Sequence, residues 1–148
     1  MKKLPFVTNE QLKSILEQYP TPFHLYDEKG IRENAKAMYE AFSWNKGFRE
    51  YFAVKAEPNP FVIGIMQKEG CGFDCSSLTE LMLAKAMGGR GNDIMFSSND
   101  TPAEDFKLAD ELGAIINLDD ITHIATLEKL FGDTFPETMT IRVIPSTE

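Results

Sequence analysis

Histidine and cysteine are scarce in this chain, two of each in 148 residues, and that scarcity excludes most metal and disulfide chemistry. Cys71 and Cys75 flank Gly72-Phe73-Asp74. Two thiols do not make a disulfide framework. On a strand they would share one face, so they read as two small buried side chains. His24 and His123 have no ligand spacing to match them, and no metal is expected. Long apolar runs are missing too: none approaches the ~20 residues that span a bilayer. Lys2 and Lys3 could open a signal peptide, but Pro5, Thr8 and Glu10 break the apolar run that should follow. The expectation is a cytoplasmic protein without a membrane partner. Positive charge is in deficit, with 15 Lys and Arg against 23 Asp and Glu and a net charge of -8. That balance argues against nucleic acid or an anionic membrane as a partner.

What is present is the composition of an ordinary globular domain, 43% hydrophobic and 26% charged, at a length suited to one compact unit. Short β-type runs alternate with helical ones. Candidate strands are Phe23 to Tyr26, Phe48 to Lys55, Cys71 to Asp74, Ile94 to Ser97, Ala114 to Asn117 and Met139 to Ile144. From Phe52 onward their centres recur every ~21 to 25 residues, room for one strand, a three-turn helix and two short loops.

The helices between them carry start and stop signals. Thr8-Asn9-Glu10-Gln11, Ser77-Leu78-Thr79-Glu80 and Thr101-Pro102-Ala103-Glu104 read as capping boxes, the last with proline at the first helical position. Ile31, Ala35, Met38, Tyr39 and Phe42 form one helical stripe. Gly88-Gly89 and Gly113 fall where helices should end.

Regular βα alternation predicts a parallel sheet with right-handed crossovers. A doubly wound nucleotide-binding sheet should carry a glycine-rich turn after its first strand. Here that turn is Ala56-Glu57-Pro58-Asn59-Pro60, without glycine, so a (β/α)8 barrel is favoured. A complete barrel needs ~250 residues. The chain supplies about five βα units, and the expected fold is a partial barrel.

Three residues could carry chemistry. Lys55 closes the apolar run Tyr51-Phe52-Ala53-Val54, and alternation puts Tyr51, Ala53 and Lys55 on one face. If that face points inward, Ala53 leaves space beneath a ligand and Lys55 reaches into the barrel mouth, where such folds build active sites. Partial desolvation there favours the neutral, nucleophilic amine. A lysine snorkelling into solvent is the plainer alternative. Asp74 would stand at the same mouth one strand over, or else serve as a helix N-cap before Ser77. Arg142 interrupts an apolar strand and demands a partner, for which Asp74 is available.

Together these segments resemble the fold-type III pyridoxal-phosphate decarboxylases, and among them most of all the diaminopimelate decarboxylases. The resemblance rests on Tyr51-Phe52-Ala53-Val54-Lys55-Ala56, on Gly72-Phe73-Asp74-Cys75-Ser76-Ser77 with Glu80-Leu81, and on Ile141-Arg142. Thr21-Pro22-Phe23-His24-Leu25-Tyr26-Asp27, Ile94-Met95-Phe96-Ser97-Ser98-Asn99 and Gly113-Ala114-Ile115-Ile116-Asn117-Leu118-Asp119 extend it. The lysine hexapeptide alone is shared with related racemases and ornithine-type decarboxylases.

The resemblance implies an alanine racemase-like barrel whose cofactor is pyridoxal 5'-phosphate, borne covalently by Lys55. It implies that Asp74 and Arg142 form a polar pair near that cofactor, Arg142 holding Asp74. The implied reaction is decarboxylation of an amino acid, meso-diaminopimelate to L-lysine, within lysine biosynthesis. Ornithine- or arginine-type decarboxylases, an alanine racemase-like enzyme and a non-catalytic cofactor-binding protein are the alternatives. It further implies residues 1–27 as a helix and strand joining a separate β domain, residues 28–148 as the N-terminal part of the barrel, and a homodimer. After the strand arginine the family shows an Asn-Pro-Gly type turn, where this chain has Ile144-Pro145-Ser146. The family's ring-stacking histidine, glycine-rich phosphate loop and ring-nitrogen glutamate lie further on. A truncated or split chain, inactive by itself, is therefore expected.

Overall fold

The computed structural model describes residues 5–134, 136 and 138–143. Its elements run α1 (Asn9–Gln18), α2 (Glu28–Ala41), β1 (Tyr51–Ala53), α3 (Pro60–Lys68), β2 (Gly72–Cys75), α4 (Leu78–Ala86), β3 (Ile94–Ser98), α5 (Ala103–Glu111), β4 (Ile115–Leu118), α6 (Thr122–Phe131) and β5 (Met139–Ile141). All strand pairs are parallel and the order is sequential, β1-β2-β3-β4-β5. A doubly wound sheet reverses its strand order at a switch point. This sheet never reverses, so it is barrel wall, and the fold is a partial (β/α)8 barrel.

Strand alternation sorts the side chains. Phe73, Cys75, Ile94, Phe96, Ile116 and Leu118 form one core with Ile63, Leu81, Ala84, Phe106, Ala109 and Leu127 of the helices. Phe96 meets Phe106 edge-on at 6.1 Å between centroids. Phe52 packs against this core and Val54 belongs to it, as the alternation within Tyr51–Lys55 requires. Burial of one such large side chain contributes about 2 kcal/mol, and the core is what seats the sheet on its helices.

The opposite face is the barrel interior. Cross-strand register aligns Ala53, Asp74, Met95 and Ile115 in one tier. Ser97, Asn117 and Thr140 align in the next tier toward the strand ends.

The helix starts divide. Thr8 caps α1 in a reciprocal box with Gln11. At α4 the Ser77 hydroxyl makes no backbone cap; Glu80 instead accepts from the Ser76 N–H at 2.8 Å, one residue earlier than a box requires. At α5 the expected box is absent. Pro102 is itself the N-cap, and the Thr101 hydroxyl turns back to donate to the Ser98 carbonyl. Gly88 and Gly113 follow helix ends with φ of 84° and 67°, the left-handed conformation expected there.

Phe23 to Tyr26 forms no part of this sheet among the described residues; its expected place is beside a separate β domain. Two further expectations are corrected in part. The stripe on α2 is real at Ile31, Ala35 and Tyr39, while Met38 and Phe42 are exposed. Phe42 stacks on Phe48 at 4.4 Å. Of the strand expected over Met139 to Ile144, Met139–Ile141 forms β5, and Ile144 lies outside the described residues.

Candidate active site

The mouth at the carboxyl ends of the strands gathers Lys55, Asp74 and Arg142. Strand β1 ends at Ala53, and Lys55 sits in a 3-10 turn over Val54–Ala56, exposed, one turn above the sheet. It is therefore not the last strand residue that its apolar run suggests. Pro58 and Pro60 follow the turn, and Pro60 takes the first position of α3. Asn59 then starts α3 by accepting the Phe61 N–H at 3.0 Å.

Asp74 lies inside β2, directly beside Ala53 in the register. The N-cap of α4 is Ser77, which removes the capping role for Asp74. Partial burial raises the Asp74 carboxyl above its ordinary range; the Lys55 ammonium opposes that rise, Glu80 adds to it, and Arg142 opposes it. Lys55 and Asp74 thus feel one another across the mouth, although among the described residues neither joins an ion pair.

Arg142 follows β5 and donates its backbone N–H to the Leu118 carbonyl at 2.9 Å. Its guanidinium does not hold Asp74. Nη1 stands 2.8 Å from Asp119 Oδ1, and Nη2 donates to Ser97 Oγ at 2.8 Å. The reason is register: Asp74 is three strands away, at about 4.8 Å per strand before curvature shortens the path. Ser97 in turn accepts from Asn117 Nδ2 at 3.2 Å, and Asn117 Oδ1 accepts from Thr140 Oγ1 at 2.8 Å. Glu80 accepts from both Ser76 Oγ and Ser77 Oγ at 3.0 Å, placing a second carboxylate near Asp74.

Ser97, Asn117 and Asp119 are polar residues at the mouth that no motif spacing singles out, whereas Glu80 enters the sequence reading as a capping residue. A signal exists all the same: polar residues alternate with apolar ones in Met95-Phe96-Ser97 and Ile115-Ile116-Asn117, on the face that holds Asp74. The thiols play no part here. Both are buried and free, Cys75 pushed up to about 12 by burial and Cys71 also raised by burial. Among the described residues no cluster of His, Cys, Asp and Glu could hold a metal.

The mouth fits an aldehyde cofactor. A primary amine stands at its rim, two residues beyond the small side chain of Ala53. Hydroxyl, amide and guanidinium donors line the wall opposite an acid.

Comparison with known proteins agrees. Residues 28–148 match the family model for the pyridoxal-dependent decarboxylase, pyridoxal binding domain. The chain belongs to the pyridoxal-dependent decarboxylases. It is 42% identical over 134 residues to protein TabA of Pseudomonas amygdali pv. tabaci, covering 90% of this chain and 30% of that one. It is 31% identical over 117 residues to diaminopimelate decarboxylase of Methanothermobacter thermautotrophicus, covering 78% of this chain and 27% of the relative. The whole chain superposes on lysine decarboxylase from Selenomonas ruminantium with a TM-score of 0.82 at 21% identity, spanning 38% of that chain. Ornithine decarboxylase from Entamoeba histolytica matches at a TM-score of 0.77 and 25% identity, over 90% of this chain and 42% of that one. The chain thus spans less than a third of the two curated relatives, TabA and the Methanothermobacter enzyme. Pyridoxal phosphate is the family's cofactor, and solved relatives hold it. No helix among the described residues is long and apolar enough to cross a membrane.

Proposed function

We propose that this chain forms the cofactor-bearing wall of an amino-acid decarboxylase that converts meso-diaminopimelate to L-lysine. The observation that supports the reading is the pairing of Ala53 with Asp74 in the register, with Lys55 in the turn that follows two residues on. Lys55 is the covalent anchor. Asp74 supplies a carboxyl near that amine, and Arg142 a cation on the facing wall. Pyridoxal phosphate supplies the electron sink for the bond broken at the substrate α-carbon. The protein orients the amino acid and moves protons at Lys55 and Asp74.

The diaminopimelate decarboxylases among the relatives support the substrate assignment. One observation favours a second reading. The 42% identity to TabA exceeds the 31% to the Methanothermobacter enzyme, so the substrate is either meso-diaminopimelate or another amino acid handled at the same mouth. Carbon dioxide release from meso-diaminopimelate, lysine, ornithine and arginine separates them, in a protein that carries this wall within a complete barrel. Release from meso-diaminopimelate that vanishes in Lys55→Ala is the expected result. Release from another amino acid alone replaces the substrate, and release from none refutes the decarboxylase reading. The 148-residue chain by itself is expected to show no turnover, because the five strands among the described residues make only part of a barrel wall.

A further inference from the structure

The upper tier of the mouth holds a set of hydrogen bonds whose direction can be followed atom by atom. Ser97, Asn117 and Thr140 stand side by side on β3, β4 and β5. Thr140 Oγ1 donates to Asn117 Oδ1 at 2.8 Å, which turns the amide so that Nδ2 donates to Ser97 Oγ at 3.2 Å. A guanidinium can only donate, and Arg142 Nη2 reaches the same serine oxygen at 2.8 Å.

A hydroxyl oxygen has two lone pairs and one hydrogen. At Ser97 both lone pairs are engaged, one of them by a cation, so only the O–H remains to be satisfied. It meets no acceptor among the described residues. Ser97 is half-buried on the interior face, two residues beyond Met95, which leaves that hydrogen for a partner from the mouth. Accepting from a guanidinium polarises the hydroxyl and strengthens it as a donor. Arg142 also has N–H groups to spare. Asp119 contacts Nη1 and Ser97 accepts from Nη2, while 48% of the arginine side chain stays exposed.

We propose that the Ser97 hydroxyl, beside the spare N–H groups of Arg142, binds an anionic oxygen at the mouth, carried by the amino acid's carboxylate or the cofactor's phosphate. This rests on the reading of the mouth as a cofactor and amino-acid site and deepens it by naming a donor there. Asn117 and Thr140 are positioning residues. They fill the second lone pair and so keep the serine proton free for the ligand.

The test is an NMR titration of the nitrogen-15-labelled chain with acetate and, separately, inorganic phosphate at fixed ionic strength, read at the backbone amide of position 97. Tighter binding of acetate assigns the site to the carboxylate, and tighter binding of phosphate assigns it to the phosphate. Ser97→Ala should weaken the preferred anion about tenfold, the size of one lost hydrogen bond to a charged group. Ser97→Thr, which keeps the hydroxyl, should restore it. Thr140→Val should weaken it less, because the freed Asn117 oxygen can turn and take the serine proton. If Ser97 acted only by holding Arg142, adding Ser97→Ala to Arg142→Gln would change nothing; a further loss is expected. Overturning results are saturation by neither anion, an unchanged affinity in Ser97→Ala, or no further loss in the double variant. Neither probe reacts with Lys55, so a Lys55 that takes up no pyridoxal phosphate would sink the proposed function and leave this result standing.

Discussion

Gly72→Ala should destabilise the chain far more than the loss of a glycine ordinarily would. Gly72 pairs with Tyr51 in the register, two steps below the pairing of Ala53 with Asp74. A Cβ at position 72 would lie 2.6 Å from Tyr51 Cδ1, 2.7 Å from its Cε1 and 2.7 Å from the Asp93 carbonyl oxygen. The ring cannot simply step aside. Its hydroxyl donates to the Asn92 carbonyl at 2.8 Å, and the Arg49 guanidinium covers it at 5.5 Å from the centroid. The third contact is backbone. Overpacking of this kind costs about 2 kcal/mol. With a urea dependence of about 2 kcal/mol/M for a domain of this size, the unfolding midpoint should fall by about 1 M. Gly47→Ala is the matched control. There the new Cβ meets only Asn45 Oδ1 at 3.6 Å, an ordinary contact, and the midpoint should barely move. Equal midpoints for the two variants would show that the bottom of the barrel wall is not packed as described.

Cys75, fully buried with its thiol pushed up to about 12, should resist a thiol reagent at pH 7 in the folded chain and react readily in urea; rapid labelling of the native chain would contradict its place in the core. Asp74→Asn should stabilise the chain at pH 7 relative to pH 3. A carboxyl raised in the fold stabilises while protonated, and that contribution is lost as pH rises from the ordinary carboxylate range through its raised value. A stability gain from Asp74→Asn that is no larger at pH 7 than at pH 3 would refute the burial argument. Among the described residues β1 and β5 are strand edges and the interior face is open, which should make the chain self-associate at micromolar concentration; light scattering that gives a monomer across that range would rule this out.

Much of this architecture is legible in the sequence because it rests on local rules. The recurrence of apolar runs gives the strand order, and period-two alternation puts Phe52 and Val54 in the core with Ala53 and Asp74 on the interior face. What escapes is what depends on neighbours in space. Thr101 has the capping residue type, but its hydroxyl bonds the Ser98 carbonyl instead. Arg142 announces that it needs an acid, while the choice of Asp119 over Asp74 follows from the β4–β5 register, which no motif encodes. Lys55 stands out by resemblance and by its place after an apolar run, while the 3-10 turn that carries it has no mark of its own in the sequence.

The most direct measurement is the site of cofactor attachment. Pyridoxal phosphate is added to the chain, the product is reduced with borohydride, and the modified peptide is mapped by mass spectrometry. One adduct per chain on Lys55, abolished in Lys55→Ala and slowed in Asp74→Asn, is the predicted outcome. Adducts scattered over surface lysines such as Lys29, Lys36 and Lys68, with Lys55 no more reactive than these, would contradict it.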